Sequence, residues 1–445
     1  MSAVNRALNV YIETYGCALN KADSMIMISE LEKRGHRIVY DIESADAVII
    51  NTCIVRRETE ERMLLRLEEL RKYSNDKKII VAGCMASVMP ATIKEIIPNA
   101  SIVSTQGINR ISDVLSSDKP LHIGLLEDAR DFLRIDVSGR LRLGDNRDLS
   151  IQIPIAQGCM SDCAFCITKY ARPVLRSYSM KAIKRAVEEA VKLGFREIEL
   201  TAQDTAVYGF DLDKRFTLPD LLREVVEVEG DFMIRVGMMN PQWLDKIIDD
   251  LIEVYKEPKI FKFLHIPVQS GDDRVLKIMK RGYTVQEFID YVNEFREKIP
   301  DINIATDIIV GHPGEDDEAF ENTKRLLEEV KFDRVHIAQY SVRPFTEAAA
   351  MPQIDEKIKK KRSSELQRVQ ERIGLEINSS FIGKRMKVLI IKRGYGGRGY
   401  IGRSMSYRTV VIRDSNDTYL GRYAYIDIDD ATYYDLRGSL HSLAD

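Results

Sequence analysis

Apolar runs recur along the first 120 positions, each followed by a stretch with helical spacing. The runs "LNVYIETYGC", "ADAVIINTC" and "KKIIVAGC" read as strands, and "DSMIMISELEKRG" between the first two reads as a helix closed by Gly35. Strands alternating with helices predict βαβ units and a parallel sheet. From about Asp148 the alternation continues at longer range. There "IQIPIAQGC", "EIELTAQD", "FMIRVGMMN", "FLHIPVQSG", "NIATDIIVGHPG" and "RVHIAQYSVRP" are the strands, separated by helices such as "KAIKRAVEEAVKLG". Six such units predict a partial (β/α) barrel whose chemistry sits at the strand C-termini. Those ends carry Gln203, Asp204, Asn240, Gln269, Ser270, Gly311 and Arg343. Lys357 to Ile382 reads as a charged helix, expected to be a solvated tether. Beyond it, short runs such as "MKVLIIKRG" and "YRTVVIRD", divided by turn residues, predict a small antiparallel β-barrel. The expected fold class is α/β in three domains: 1–140, 145–378 and 379–445.

The 445 residues are 44% hydrophobic and 30% charged, an ordinary globular balance. No apolar run approaches the roughly 20 residues of a membrane span. The start "MSAVNRALNVYIETYGC" lacks the basic and apolar segments of a signal peptide. A cytoplasmic, reducing location is therefore expected, where six cysteines point to metal or catalysis rather than disulfides. The net charge of −3 hides an asymmetry. Lys384, Arg385, Lys387, Lys392, Arg393, Arg398, Arg403, Arg408 and Arg413 follow one another with no acidic residue among them, interleaved with Tyr395, Tyr400 and Tyr407. Positive charge draws a phosphate backbone and exposed aromatics stack on bases, so this barrel is expected to bind RNA.

The cysteines form two sets. Cys17, Cys53 and Cys84 each end one of the first three strands, and strand C-termini of an open parallel sheet share one edge. Three thiols distant in sequence are thus expected to meet. Cys159, Cys163 and Cys166 lie within one loop as C-x3-C-x2-C. Three closely spaced thiolates suit three corners of an iron–sulfur cube, leaving one iron open to a substrate. A zinc site completed by a distant residue, or buried free cysteines, are the alternatives on spacing alone.

These residues resemble the radical S-adenosylmethionine enzymes, and within them the methylthiotransferases. The resemblance is carried by "ETYGC", "NTC", "AGC", "QGCMSDCAFC", "LTAQDTAVYG", "HIPVQSGDDRVLKIMKRGYT" and "TDIIVGHPGEDDEAF", and runs from about Tyr11 to the C-terminus. It implies two 4Fe-4S clusters. One, on Cys159, Cys163 and Cys166, would bind S-adenosylmethionine and split it to a 5′-deoxyadenosyl radical. The other, on Cys17, Cys53 and Cys84, would bear the sulfur to be inserted, and a second S-adenosylmethionine would supply the methyl group. Gln203, Asp204, Gln269, Ser270 and Gly311 are the expected cofactor contacts. Lys169, Arg172 and Arg176, just after the cluster loop, are expected to hold negative charge on cofactor or RNA. The sequence departs from the family pattern at Pro173, His312, Phe345 and Glu347, none of them a cluster ligand.

The C-terminal segment resembles a TRAM domain, an RNA-binding module. Family members modify adenosine 37 of tRNA or an aspartate of a ribosomal protein, and a basic barrel favours RNA. "NTCIVRRETEERM", "CITKYAR" and "LTAQDTAVYG" look most like the archaeal and eukaryotic branch acting on threonylcarbamoyl-adenosine. The isopentenyl-adenosine branch, the ribosomal-protein aspartate and a non-catalytic RNA-binding iron–sulfur protein are the competing readings. The expected partners are the tRNA anticodon loop, an electron donor and a sulfur donor, with no membrane and a monomeric enzyme.

Overall fold

The N-terminal strands β1 (Asn9–Thr14), β2 (Arg37–Val39), β3 (Ala47–Thr52), β4 (Lys78–Gly83), β5 (Ser101–Val103) and β6 (His122–Ile123) pair in the order β2-β1-β3-β4-β5-β6. All pairings are parallel because helices cross back over the sheet between strands. Helices on both faces leave β3 buried at every position, which is why "AVIINT" is nearly all apolar. The strands that precede Cys17, Cys53 and Cys84 are three neighbours: β1, β3 and β4. Here and below, the computed structural model describes residues 7–124, 135, 137, 148–212, 216–394, 397–414 and 419–444. Most of the junction expected near 140–145, and Tyr395, lie outside them.

The second domain opens with β7 (Ser150–Pro154) and an antiparallel pair of two-residue strands, β8 (Ala156–Gln157) with β9 (Arg176–Ser177), joined by a long loop. Then follow β10 (Glu197–Thr201), β11 (Met233–Val236), β12 (Phe263–His265), β13 (Asn303–Val310) and β14 (Arg334–Gln339). They form two parallel sheets, β11-β10-β7 and β12-β13-β14, joined through a bridge between Ile234 and Ile260. The result is the expected open barrel. Its helices are amphipathic: Met180–Lys192 buries Ile183, Ala186, Val187 and Ala190 at helical spacing and starts on Ser179, whose hydroxyl accepts from Ala182 N–H.

Helix Glu356–Ser379 differs from the solvated tether expected of it. One face is buried against the barrel through Leu366, Val369 and Ile373. Lys359 is 1% exposed, and Arg362 donates to the buried Glu315 carboxylate at 2.8 Å. The charges that made it read as solvated are in part its docking contacts.

The last domain closes as β15 (Arg385–Arg393), β16 (Tyr400–Ser404), β17 (Thr409–Ile412), β19 (Leu436–Leu443) and β18 (Tyr423–Ala431) around a core of Val388, Ile390, Val410, Ile426 and Leu436. One pairing, β17 with β19, is parallel rather than antiparallel. Up-and-down alternation cannot close around an odd number of strands, so five strands force one parallel seam. Among the described residues no helix is long and apolar enough to cross a membrane.

A six-cysteine cavity between the sheet and the barrel

At the first cysteine set, local chemistry brings the thiols together. Cys17 caps helix Ala18–Lys33, Cys53 follows β3, and Cys84 opens the short helix after β4. The Asn20 side chain bridges them. Its Nδ2 donates to Tyr15 and Thr52 carbonyls, both at 2.9 Å, and its Oδ1 lies 4.0 Å from Cys17 Sγ and 3.7 Å from Cys84 Sγ. Arg172 enters from the second domain, 2% exposed, and pairs with the equally buried Asp23. Its Nε and Nη1 groups have no hydrogen-bond partner.

The second set hangs on the loop after β8. Gly158 has φ +79°, and a Cβ there would sit 2.0 Å from the Val174 carbonyl oxygen. Its N–H donates to Gln203 Oε1 at 2.8 Å. Ser161 N–H points at Cys159 Sγ at 3.4 Å, while Ser161 Oγ accepts from Asn240 Nδ2 at 2.7 Å. Arg281, fully enclosed, donates from Nη1 to Cys163 Sγ at 3.1 Å, from Nε to Tyr283 and from Nη2 to Asn240 Oδ1 and the Pro267 carbonyl. Gly158→Ala is expected to lower stability by more than about 2 kcal/mol, since left-handed strain adds to a clash with backbone. Thermal melting with an iron assay checks this, and Cys159 should lose its share of iron.

All six cysteines line one cavity of about 390 Å³ between the two domains. Burial pushes the thiols of Cys53 and Cys163 up, and those of Cys84 and Cys159 up to about 12, the latter helped by Asp204. A metal that binds such thiols displaces their protons. Two sets of three thiols, each beside a buried guanidinium, fit two iron–sulfur clusters with an open iron apiece. Among the described residues no further cysteine stands by either set.

The chain matches the family described as uncharacterized protein family UPF0004 over residues 9–105, the radical SAM superfamily over 153–327 and the TRAM domain over 379–441. It is 42% identical to the probable threonylcarbamoyladenosine tRNA methylthiotransferase of Pyrococcus abyssi, over 98% of this chain and all of that one. The chain belongs to the threonylcarbamoyladenosine tRNA methylthiotransferase family. The human member is 34% identical over 96% of this chain and 73% of its own length. A tRNA-2-methylthio-N(6)-dimethylallyladenosine synthase from Roseiflexus is 33% identical, covering 99% of this chain and 94% of that one. Among solved structures, the radical S-adenosylmethionine methyltransferase TsrM from Kitasatospora setae shares the fold, with a TM-score of 0.56 at 14% identity over 85% of this chain and 76% of that one.

The remaining residues expected at this family's site divide. Gln203, Asp204, Asn240 and Gln269 line the cavity. Asp204 is enclosed and accepts from the Ala206 and Asn240 N–H groups; burial pushes its carboxyl up to about 6, and its Oδ2 has no partner. Gln269 holds φ +74°, with Oε1 likewise unpartnered. Ser270 and Gly311 are elsewhere. Ser270 is fully buried, its hydroxyl accepting from Asp272 N–H beside Thr323, because the turn after Gln269 carries it away from the lumen. Gly311 lies under the Lys359 side chain and donates to Glu315. Of the three cations after the loop, Lys169 pairs with Asp162 at 2.5 Å, Arg172 is the guanidinium at the first set, and Arg176 is buried in the β8–β9 pair. Arg343 reaches across to pair with Glu60 and to donate to the Ile54 carbonyl at 3.1 Å, tying barrel to sheet.

Sequence reasoning missed Asn20, Asp23 and Arg281, and the group His265, Asp307 and His336, carried by the neighbouring strands β12, β13 and β14. In that group His265 Nε2 lies 3.1 Å from Asp307 Oδ1. Arg281 stood in plain view in "KRGYT", but nothing in spacing aims it at Cys163.

His312, where an aromatic is usual, is a fully buried neutral ring. It packs edge-on to Tyr340 and Phe165, its Nδ1–H donates to the Pro313 carbonyl at 2.8 Å, and burial pushes it down to about 4. The unfolded chain takes up a proton near pH 6.5 that the folded ring refuses, so stability falls as pH drops from about 6.5 toward 4. The full effect is about 3 kcal/mol. His312→Phe is expected to lose less melting temperature than the parent between pH 7.5 and pH 5.

On the C-terminal barrel, Lys384, Arg385, Lys387, Arg398 and Arg413 are exposed, with Arg385 and Arg413 paired to Asp427 and Asp429, and Lys392 and Arg393 are half-buried. Arg403 and Arg408 differ from the expected RNA contacts. They turn into the seam with the second domain, Arg403 toward Glu197 at 3.5 Å and Arg408 against Asp333. Tyr400 is core and Tyr407 packs on Phe261 and Phe263 at 4.9 and 4.8 Å between ring centres. Among the described residues of this barrel the exposed rings are instead Tyr425, Tyr433 and Tyr434, with the Arg334 guanidinium 4.0 Å above the last.

Proposed function

We propose that this protein places a methylthio group on C2 of N6-threonylcarbamoyladenosine 37 of tRNA. The observation that carries the reading is the single cavity shared by both cysteine triads. It is supported by the kinship to threonylcarbamoyladenosine tRNA methylthiotransferases over nearly the whole chain. Cys159, Cys163 and Cys166 would hold the 4Fe-4S cluster that binds S-adenosylmethionine, and Cys17, Cys53 and Cys84 the second cluster. When bound, these groups supply the homolytic chemistry an inert adenine C–H bond requires, and the sulfur and methyl that replace its hydrogen.

The protein's own part is positioning and exclusion. Gln203 and Asn240, the latter through Ser161, fix the loop that carries the second triad. Arg172 and Arg281, both buried, would balance the negative charge of thiolates and clusters, and burial strengthens that interaction. Arg343 clamps the two domains over the cavity, which keeps a reactive species from solvent. Lys384, Lys387 and Arg398 offer positive charge to the tRNA backbone, and Tyr433 and Tyr434 offer stacking faces, so that the target base can leave the anticodon loop. A one-electron donor and a sulfur donor are further partners that this chemistry needs; the enzyme acts as a monomer. Isopentenyl-adenosine is the second reading, favoured by the Roseiflexus relative at 33% identity.

The test is anaerobic reconstitution with S-adenosylmethionine, reductant and tRNA lacking the mark, followed by nucleoside mass spectrometry. A methylthio derivative of threonylcarbamoyl-adenosine is expected. 5′-Deoxyadenosine without any modified nucleoside would retain the radical chemistry and overturn the substrate.

A further inference from the structure

The two buried guanidinium groups are not equivalent. Arg281 spends its donors on the protein: Tyr283, Asn240, the Pro267 carbonyl and Cys163 Sγ. Arg172 spends one nitrogen, Nη2, on Asp23 and leaves Nε–H and the Nη1 hydrogens unmatched, although its side chain is 1% exposed. A buried donor without an acceptor costs about 1–3 kcal/mol; Arg196, Arg235, Arg403 and Arg408 each leave Nε alone unpartnered, whereas among the described arginines only Arg172 leaves two buried nitrogens so. Arg172 also interacts electrostatically with Cys17, Cys53 and Cys84, all of which favour or feel its charge. Asp23 holds the guanidinium from behind, in a helix that Cys17 itself caps. The fork is thus fixed, charged and incomplete, and it faces the first cysteine triad.

We propose that the free N–H groups of Arg172 bind the anionic sulfur that the enzyme transfers, a hydrosulfide or methanethiolate seated beside the Cys17, Cys53 and Cys84 cluster. This inference rests on the proposed role of that cluster. The acceptor must be small, anionic and compatible with thiolates as neighbours, and a sulfur anion meets all three conditions. A guanidinium offers it two parallel donors and a charge that never titrates away. At the cluster that takes S-adenosylmethionine, by contrast, every nitrogen of Arg281 already has a protein partner.

The experiment uses the full chain with Cys159, Cys163 and Cys166 all replaced by alanine, so that only the first cluster is reconstituted and no turnover intrudes. Sodium methanethiolate is titrated in and followed by electron paramagnetic resonance of the reduced cluster. The parent is expected to hold about four irons per chain and to show a saturable spectral change. In Arg172→Met the apparent affinity should fall at least about tenfold, with Arg172→Lys between the two. Should Arg172→Met lose its iron because Asp23 is left unpaired, the paired variant D23N/R172Q removes both charges at similar volume and takes its place in the titration. Unchanged affinity in the iron-loaded variant, or a parent spectrum blind to methanethiolate, would overturn the assignment of Arg172. A parent that holds no iron would instead overturn the reading of Cys17, Cys53 and Cys84 as a cluster site.

Discussion

Replacing Cys163 with alanine is expected to abolish both 5′-deoxyadenosine release and tRNA methylthiolation, whereas Cys84→Ala should keep the first and abolish the second. The two triads line one cavity but are built on independent supports. Cys84 sits on the edge of the parallel sheet, held through Asn20, and Cys163 on a barrel loop held by Arg281. Loss of one thiol therefore removes one cluster and leaves the other's scaffold intact. Iron analysis should show each variant with about half the parent's iron, and chromatography of 5′-deoxyadenosine in the absence of tRNA separates them. If Cys84→Ala also stopped 5′-deoxyadenosine release, the division of labour between the triads would be wrong.

Arg281→Met is expected to lower 5′-deoxyadenosine formation about 10–100-fold, the usual cost of losing a residue that supports a metal ligand. The substitution keeps the bulk but removes the donor to Cys163 Sγ and leaves Asn240 Oδ1 and the Pro267 carbonyl short of a partner. It also withdraws the positive charge nearest that thiolate, so the cluster becomes harder to reduce. Redox titration should show the potential moving downward, which loss of packing alone would not do. Arg281→Lys restores the charge without the planar fork and should recover the potential more fully than the rate. An unchanged potential in Arg281→Met would assign the residue to packing.

Much of the architecture was legible because it is written in short-range pattern. The six strands of the barrel each carried their own apolar run, and the alternation with helices dictated parallel pairing. The C-terminal barrel announced itself through short runs and turns, though its parallel seam follows from closure and not from any local signal. The tether helix misled because charge along a helix does not reveal which charges find buried partners. Arg362 and Lys359 read as solvated and are enclosed. The same blindness affected the basic barrel, where Arg403 and Arg408 face a neighbouring domain that the linear sequence does not place beside them. Ser270 and Gly311 were expected at the lumen from strand-end position, but only the path of the turn decides which side a residue faces.

The sequence by itself determined which residues could do the chemistry: six cysteines in two sets, strands to carry them, and a basic module for RNA. Thiol chemistry and strand periodicity are local properties, so they survive in one dimension. Only the tertiary structure decided that both sets open into one cavity, that each has a buried arginine, and that one of those arginines still has donors to give. These are matters of side-chain direction and of burial between segments as far apart as Asp23 and Arg172, and no spacing rule reaches across such a gap.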